Sequence, residues 1–326
     1  MVMHVAVIGC GNIGTKRIAA MTGDPRADIQ ALVDVNPDRL QVIREQFAYP
    51  VYQDYRRVLS DKQVEAVVIS VPPLAAYRIV ADCLGAKKHV LCEKPIGRSV
   101  AEARQLTKIS HDYGMVLKCG FNLRHDAGLN QAFTWYRSGR IGELYFFKCT
   151  YVNGAVRSNT NQVGSLLDMG THVIDLARWF MGEIAAVSGS LKQFEYAVED
   201  LDDNGFAHLH AGKAEGSIHF SFVRWMNAFS LEITGSLGTI EVQNLPKWGT
   251  QTVTYHRRVM PSGVPEIEQM TFKGDQSWKN EWDEFYRCVS ERDMKWNLDG
   301  LRTMEIASAM RMSAKKHCTQ NVQYAS

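Results

Sequence analysis

The sequence lacks the cysteine pattern of a disulfide framework or of a zinc site. Its seven cysteines are odd in number among 326 residues, and none stands in a Cys-x-x-Cys spacing. A small secreted scaffold would carry paired cysteines, and a structural zinc site would carry closely spaced ones. We therefore expect reduced thiols and no metal site.

Concentrated positive charge and long apolar runs are also missing. Lys and Arg number 37 against 35 Asp and Glu, and no basic run exceeds residues 315–317. A nucleic-acid or membrane-surface partner usually requires a concentrated positive face. No apolar run is long enough to cross a bilayer, and no basic leader precedes the strand-like residues 4–8. We expect a cytoplasmic protein without nucleic-acid or membrane partners.

The length favours two domains, because 326 residues exceed the usual size of one hydrophobic core. Up to residue 120, short β-branched runs alternate with stretches of helical spacing, which predicts an α/β domain with a doubly wound parallel sheet. The predicted strands cover residues 5–8, 29–33, 66–71, 89–92 and 115–120.

After residue 121 the pattern changes to strands that follow one another without long helices between them. Such a run is typical of an open, mostly antiparallel sheet. The predicted strands cover residues 144–152, 187–197, 205–211, 216–222, 229–234, 239–243 and 252–259. Predicted helices cover residues 129–138, 166–180, 278–290 and 301–316. We expect a second, α+β domain over residues 121–326, with its C-terminal helix packing back on the first domain.

A glycine-rich turn lies between the first predicted strand and helix, in the spacing Gly-x-Gly-x-x-Gly. In a dinucleotide fingerprint the first glycine permits a tight turn, the second admits a pyrophosphate, and the third allows close helix packing. The alternative is a turn that needs glycine only for its geometry. The pattern predicts dinucleotide binding by residues 1–120. The expected contacts in this turn are Gly9, Gly11, Asn12, Ile13 and Gly14.

Asp34 follows the second predicted strand at the spacing expected for a ribose-binding carboxylate. Such a carboxylate accepts hydrogen bonds from the adenosine ribose and repels a 2′-phosphate, so NAD is favoured over NADP. Arg39 could stack on the adenine or reach a phosphate, which leaves NADP open.

Lys94 stands in the phrase Glu93-Lys94-Pro95, directly after the predicted strand 89–92. The carboxyl ends of parallel strands form the ligand crevice of a doubly wound sheet, so this ammonium is expected near the nicotinamide. An exposed surface lysine is the alternative.

Asp168 and His172 are four residues apart in a predicted helix, so both are expected on one face. Histidine can take a proton from a hydroxyl as a hydride leaves the same carbon, and a carboxylate can orient the imidazole or the substrate. An ammonium group such as that of Lys94 would stabilise the developing alkoxide. The alternatives are a hydrogen-bonded polar face and a metal site, although no third ligand is evident.

Together these motifs resemble those of the family of glucose-fructose oxidoreductase, inositol dehydrogenase and the MocA-like proteins. The resemblance implies a Rossmann domain followed by an α+β domain whose sheet makes a homodimer or homotetramer. It also implies that Lys94 contacts nicotinamide and substrate, that His172 is the general acid/base, and that Asp168 binds or orients the substrate hydroxyl. The matching segments are residues 7–14, 88–95, 120–124, 167–176 and 233–239.

The departures from the family pattern lie around the ligands. Where members often have Thr-Pro-Asn, this chain has Ser70-Val71-Pro72, so contacts near the cofactor ribose are expected to differ. The loop 159–165 carries a single glycine and is expected to face the substrate. Further expected cofactor contacts are Ser70, Pro72 and Glu93, and expected substrate contacts are Asn122, Arg124 and Asn153.

The sequence therefore predicts an NAD-dependent oxidoreductase acting on a secondary alcohol or ketone of a sugar, a cyclitol or a nucleotide-linked sugar. Two alternatives use the same scaffold. One is a non-catalytic regulator that senses NAD, and the other is NAD-assisted redox cleavage of a glycoside.

Overall fold

The computed structural model describes residues 2–154, 163–196, 198 and 200–325. The chain divides into two compact units. The first contains Met1–Phe121 and Trp278–Met304, and the second contains Asn122–Ser277 and Glu305–Ser326. The sequence interpretation placed everything after residue 120 in the second domain, whereas residues 278–304 belong to the first unit.

The first unit contains a six-stranded parallel sheet flanked by helices. Its strands are β1 (Met3–Ile8), β2 (Ala27–Val33), β3 (Val51–Tyr52), β4 (Ala66–Ile69), β5 (His89–Glu93) and β6 (Leu117–Gly120). Its helices begin with α1 (Asn12–Met21), α2 (Pro37–Gln46), α3 (Arg56–Ser60), α4 (Pro73–Gly85) and α5 (Val100–Tyr113). The strand order β3-β2-β1-β4-β5-β6 confirms the predicted doubly wound sheet.

The strands of this sheet end at one common edge. Ile8 pairs with Ile69, Ile69 with Cys92, and Cys92 with Cys119. The strand order reverses between β1 and β4, so the connections after these two strands leave on opposite faces and open a crevice at that edge. This carboxyl edge is where a parallel sheet of this type binds its ligand.

The second unit begins with a short 3-10 turn (Asn122–His125), followed by α6 (Ala127–Arg137) and β7 (Leu144–Val152). A π-helical turn (Leu166–Gly170) leads into α7 (Thr171–Met181). The strands that follow are β8 (Ala186–Lys192), β9 (Asn204–Ala211), β10 (Ala214–Ser221), β11 (Ala228–Gly235), β12 (Gly238–Gln243), β13 (Gln251–Arg257) and β14 (Glu266–Phe272). The chain ends with α8 (Ser277–Glu291), α9 (Asp299–Lys316) and β15 (Gln320–Asn321).

These strands form a nine-stranded sheet in the order β14-β13-β12-β11-β7-β10-β9-β8-β15. All neighbouring pairs are antiparallel except β7 with β10, which confirms the predicted mostly antiparallel sheet. One face carries buried residues such as Phe147, Leu209 and Leu231 and contacts α6 and α7. Residues of the opposite face, such as His208 and Lys148, are exposed, as expected of an antiparallel sheet covered on one side.

Helix α8 belongs to the first unit because its apolar face completes that unit's core. Trp282, Phe285 and Cys288 are almost fully buried in one cluster with Val5 and Val7 of β1. The amphipathic spacing of this segment predicts a helix, but spacing alone does not say which core a helix joins. Among the described residues, no helix combines the length and apolar character needed to span a membrane.

A buried ion-pair cluster also holds α8 in the first unit. Arg17 of α1 donates from Nε and Nη2 to Oε1 of Glu93, at 2.9 and 2.5 Å. Its Nη1 donates to Oε2 of Glu281 on α8, at 2.5 Å. The side chains of Arg17 and Glu281 are 3% and 0% exposed. Burial raises the pKa of Glu281, and the Arg17 charge opposes that shift.

Replacing Arg17 with Met should destabilise the protein strongly. The change leaves two carboxylates without their guanidinium, and removing one partner of a buried ion pair typically costs about 3–5 kcal/mol. The free energy of unfolding, measured by denaturant titration, should fall by about that amount.

Arg56→Met is the matched control, because Arg56 and its partner Asp54 have side chains 75% and 47% exposed. Exposed pairs contribute about 0–1 kcal/mol. Equal losses in the two variants would contradict the role given to Arg17.

Candidate functional site

The glycine-rich turn of the first unit is closed by backbone contacts that admit no side chain at two positions. Gly9 follows β1 with φ of 90°, and a Cβ on it would lie 2.4 Å from the carbonyl oxygen of Ser70. A Cβ on Gly14 would lie 1.9 Å from the carbonyl oxygen of Gly9. Strand β1, helix α1 and the residue after β4 therefore approach each other as closely as backbone allows.

Gly11 differs from Gly9 and Gly14 because a Cβ built on it would meet no backbone atom of another described segment within 4 Å. Among the described residues, the atom nearest to a Cβ built on it is Nη1 of Arg39, at 3.4 Å. Gly11 caps α1, and no side chain of the described residues caps this end. The first amides of a helix lack intrahelical partners and attract anions. This end of α1 therefore suits a phosphate group above Gly11, which the amides of Asn12 and Ile13 in the first turn would bind.

Asp34 connects the ends of β1 and β2 through its carboxylate. Oδ2 accepts from the amide of Cys10 at 2.8 Å, and Oδ1 accepts from the amide of Asn36 at 2.9 Å. Burial, together with the Asp34 charge, raises the pKa of Cys10 to about 12, so this thiol stays protonated at neutral pH. Each carboxylate oxygen can accept a further hydrogen bond, which suits a ribose hydroxyl. Arg39 is exposed on α2.

Ser70 follows β4 at the same edge, where its amide donates to the carbonyl of Ile8 at 2.8 Å. Its Oγ is buried and makes no hydrogen bond to any residue that the structure describes. Buried hydroxyls are normally hydrogen-bonded, so this one marks a place for a ligand's polar group. Pro72, two residues further on, is exposed and caps α4.

Lys94 follows the last residue of β5 and is half-buried. Glu93 before it is held by Arg17, and the Lys94–Pro95 peptide that follows is cis. A Cβ on Gly120 of β6 would lie 2.8 Å from Nη2 of Arg17, so the backbone is tightly packed on this side as well. The structure therefore places Lys94 at the carboxyl edge, beside a fixed Glu93.

In the second unit, Asp168 lies in the π-helical turn before α7. The predicted continuous α-helix over residues 166–180 is therefore wrong in its first turn. The carboxylate of Asp202 accepts from Ser165 Oγ at 2.6 Å and from the amide of Leu166 at 2.7 Å, which caps this turn. A π-helical turn holds more residues than an α-helical one, so Asp168 and His172 do not have simple α-helical alignment.

His172 lies in the first turn of α7 and is 7% exposed. Its ring meets that of Tyr151 edge-on, with centroids 5.8 Å apart. Nζ of Lys247 donates to the hydroxyl of Tyr151 at 2.9 Å and lies 4.7 Å from the centre of the Trp248 ring. The imidazole is thus placed beside an aromatic wall that carries an exposed ammonium group.

The other predicted substrate residues of this unit are engaged within the protein. Arg124 donates from Nε and Nη2 to the two carboxylate oxygens of Asp175, at 2.7 and 2.6 Å, and both residues are buried. Asn122 donates from Nδ2 to Oγ of Ser277 at 2.9 Å. Asn153 follows β7 and is half-buried. Substrate binding by these three stays a prediction, and residues 159–162 of the predicted substrate loop lie outside the described residues.

Sequence reasoning missed the aromatic wall and the helix cap. Tyr151 is the penultimate residue of β7, whose residues are mostly apolar, and in the sequence it cannot be distinguished from a core aromatic. Lys247 and Trp248 lie between β12 and β13, at no regular spacing from His172. The sequence signal for Lys247 and Trp248 is limited to a basic and an aromatic residue in a short connection after Pro246.

Comparison with known proteins assigns the family. Residues 3–121 match the family model described as "Oxidoreductase family, NAD-binding Rossmann fold". Residues 129–241 match the GFO/IDH/MocA C-terminal domain. The two matches together cover well over half of the chain. The protein belongs to the GFO/IDH/MocA family of oxidoreductases.

Two curated relatives illustrate the range of the family. The chain is 30% identical to the myo-inositol 2-dehydrogenase of Thermotoga maritima over 188 residues, which cover 56% of this chain and 55% of that enzyme. The chain thus spans little more than half the length of this relative. It is 24% identical to the dTDP-3,4-didehydro-2,6-dideoxy-alpha-D-glucose 3-reductase of Actinomadura kijaniata over 322 residues, covering 96% of each.

The fold is that of a solved levoglucosan dehydrogenase in complex with NADH and levoglucosan. The two chains superpose with a TM-score of 0.90 at 22% identity, covering 99% of this chain and 100% of the other. At this identity the likeness establishes the fold.

The residues of the first unit fit the dinucleotide of the family description. Among the described residues, only the Arg39 side chain approaches the Cβ position of Gly11 at the start of α1, and Ser70 Oγ at the same edge has no hydrogen-bond partner. Asp34 offers acceptor oxygens at the end of the neighbouring strand. These residues, with the amides of Asn12 and Ile13, would hold NAD.

Two alanine substitutions should separate folding from cofactor binding. Gly14→Ala forces a Cβ against the carbonyl of Gly9, and overpacking of this kind costs about 1–3 kcal/mol or more. Its thermal midpoint should fall. Gly11→Ala meets only the flexible tip of Arg39 among the described residues, so its midpoint should stay unchanged.

In calorimetric titration with NAD, Gly11→Ala should bind at least about tenfold more weakly, or about 1.4 kcal/mol, because the methyl occupies the pyrophosphate approach. Unaltered NAD binding by a folded Gly11→Ala protein would exclude this cradle.

Proposed function

We propose that this protein is an NAD-dependent oxidoreductase acting on a secondary alcohol or ketone of a sugar, a cyclitol or a nucleotide-linked sugar. The family membership supports the reaction class. The named relatives act on an inositol and on a nucleotide-linked sugar, which supports the substrate class. Bound NAD supplies the acceptor for the hydride.

One observation carries the proposal. At the carboxyl edge of the parallel sheet, backbone atoms occupy the Cβ positions of Gly9 and Gly14, whereas the described atom nearest to a Cβ on Gly11 is the flexible Arg39 Nη1, at 3.4 Å. If the turn needed glycine only where the backbone is crowded, glycine would be required at positions 9 and 14 but not at position 11. Together with the Ser70 hydroxyl, which has no hydrogen-bond partner among the described residues, this difference favours a bound dinucleotide over the purely structural alternative.

The proposed reaction breaks the O–H and C–H bonds of a carbinol and forms a carbonyl. His172 takes the hydroxyl proton, and the electron pair of the C–H bond leaves with the hydrogen. Burial and the edge contact with Tyr151 fix the imidazole orientation. Lys94 stabilises the negative charge on the oxygen, and Asp168 binds the neighbouring hydroxyl. These three roles rest on the family resemblance and on the chemistry of the side chains.

The aromatic wall beside His172 suits a sugar. Trp248 is half-buried and presents ring surface beside the buried ring of Tyr151, and Nζ of exposed Lys247 donates to the Tyr151 hydroxyl at 2.9 Å. Aromatic rings pack against the apolar faces of a pyranose or cyclitol, while a cation suits hydroxyls or a phosphate. We assign Tyr151, Lys247 and Trp248 to the substrate side of the second unit.

His172→Ala should lower kcat by about 10²–10⁴-fold, the usual contribution of a general base. The assay follows NADH absorbance with NAD and a panel containing myo-inositol, hexoses and dTDP-sugars. Added imidazole should restore part of the rate, because small bases can enter the space left by the side chain.

His111→Ala is the control, since His111 is exposed near the end of α5. Full activity in the His172 variant would refute the assigned base. Tight NAD binding without turnover on any substrate would favour the regulator instead. Release of an aglycone without net NADH would favour redox glycoside cleavage.

Cofactor preference should follow Asp34 and Arg39 in opposite directions. Asp34→Asn removes the charge that repels a 2′-phosphate, so the NAD/NADP ratio of kcat/KM should fall by about tenfold. Arg39→Ala removes a cation near Gly11 and should raise the ratio. Steady-state kinetics with both cofactors measure the change. An unchanged ratio in both variants would show that these residues do not select the cofactor.

We also propose that copies of the chain associate through the open face of the nine-stranded sheet, as the resemblance implies. Phe146 and Phe206 are 39% and 50% exposed on this face. Large exposed aromatics in a sheet of this size are typical of an interface.

A further inference from the structure

Two histidines and a glutamate converge on the β9–β10 hairpin, in a part of the second unit that the proposed reaction does not use. His208 and His210 alternate along β9 and therefore project from the same face of the sheet. Glu215 of β10 is the register partner of His210. The hairpin thus places three potential ligands side by side.

The side chains already gather around the single carboxylate. Nε2 of His208 contacts Oε2 of Glu215, and Nδ1 of His210 lies 3.2 Å from Oε1. The imidazole centroids are 4.8 Å apart. One ligand atom from each residue can be chosen so that all three lie within 4.8 Å of one another. Ligand atoms at about 2.0–2.2 Å from a tetrahedral ion are about 3.3–3.6 Å from one another, so small side-chain rotations would suffice.

The three side chains have room to make these rotations. In the single chain the side chains of His208, His210 and Glu215 are 50%, 38% and 50% exposed. They lie on the same open face as Phe146 and Phe206, so the ion would bind on the face that copies of the chain are proposed to share. The strands that carry the three side chains are fixed by eight consecutive register pairs. The paired backbone lowers the entropy cost of binding, and the exposed side-chain tips leave access for an ion in the single chain.

We propose that His208, His210 and Glu215 bind a divalent transition-metal ion of the Zn²⁺ class. Two imidazoles and one carboxylate suit zinc and its neighbours, whereas Ca²⁺ and Mg²⁺ prefer oxygen ligands alone. Three protein ligands leave a fourth position for water. The ion would replace the two His–Glu contacts and join β9 to β10.

A second His–Glu pair on the same sheet offers a matched comparison. His256 of β13 lies 3.5 Å from Glu241 of β12. Among the described residues, the group around Glu215 is the one with three ligands within reach of a common ion. Two ligands bind zinc more weakly than three, so the His256–Glu241 pair is expected to add little to the zinc affinity of the protein.

The test uses the full-length protein, without an affinity tag, in a Cys318→Ser background, because Cys318 is an exposed thiol that could itself bind zinc. Zn²⁺ affinity is measured by competition with a chromophoric chelator for the parent, His208→Asn, Glu215→Gln and His256→Asn. Co²⁺ is added separately, since a tetrahedral nitrogen–oxygen site gives strong visible d–d bands.

The proposal predicts one zinc ion per chain in the parent and in His256→Asn. Affinity should fall at least about tenfold in His208→Asn and in Glu215→Gln. The Co²⁺ bands should be lost in the same two variants. Thermal midpoints and oligomeric states without metal should match the parent, because each change keeps a polar side chain at its position. Equal affinities in all four proteins, or a loss confined to His256→Asn, would overturn the proposal and leave ordinary surface ion pairs.

Discussion

The close approach of β1, α1 and the residue after β4 is the constraint on which the cofactor site depends. The carbonyls of Gly9 and Ser70 occupy the space where side chains at positions 14 and 9 would project. This crowding fixes the first amides of α1 at the carboxyl edge of the sheet. Once they are fixed there, Gly11 can leave open space above them, and Asp34 and Ser70 flank that space.

Burial of charge organises the residues around this platform and around the imidazole. Arg17 holds Glu93, the residue before Lys94, and also holds Glu281 of α8. Arg124 holds Asp175 in α7, the helix that carries His172. Both guanidiniums are bidentate or bridging, and both are almost fully buried. Buried ion pairs of this kind add little net stability, but they hold their charged side chains in a defined geometry. They stabilise the backbone positions from which the proposed reacting groups project.

Sequence periodicity predicted most of the fold, and the failures have physical causes. Strand β3 has two residues, and β14 is exposed throughout almost its whole length, so neither shows a hydrophobic pattern. The π-helical turn keeps a helix-like spacing of apolar residues and could not be distinguished from an α-helix. The glycine turn, Asp34 and Lys94 were recognisable because their spacing from strands is local. Tyr151 meets His172, Lys247 meets Tyr151, and Asp202 caps the π-helical turn only through the fold of the sheet, which local spacing does not encode.

A crystal structure of the protein grown with NAD would show whether the β1–α1 turn holds the cofactor. The pyrophosphate should lie above Gly11, within hydrogen-bond distance of the amides of Asn12 and Ile13. Ser70 Oγ should gain a hydrogen-bond partner from the bound dinucleotide, and Asp34 should accept from the adenosine ribose. A dinucleotide bound elsewhere, or one whose pyrophosphate does not touch the β1–α1 turn, would exclude this cofactor site.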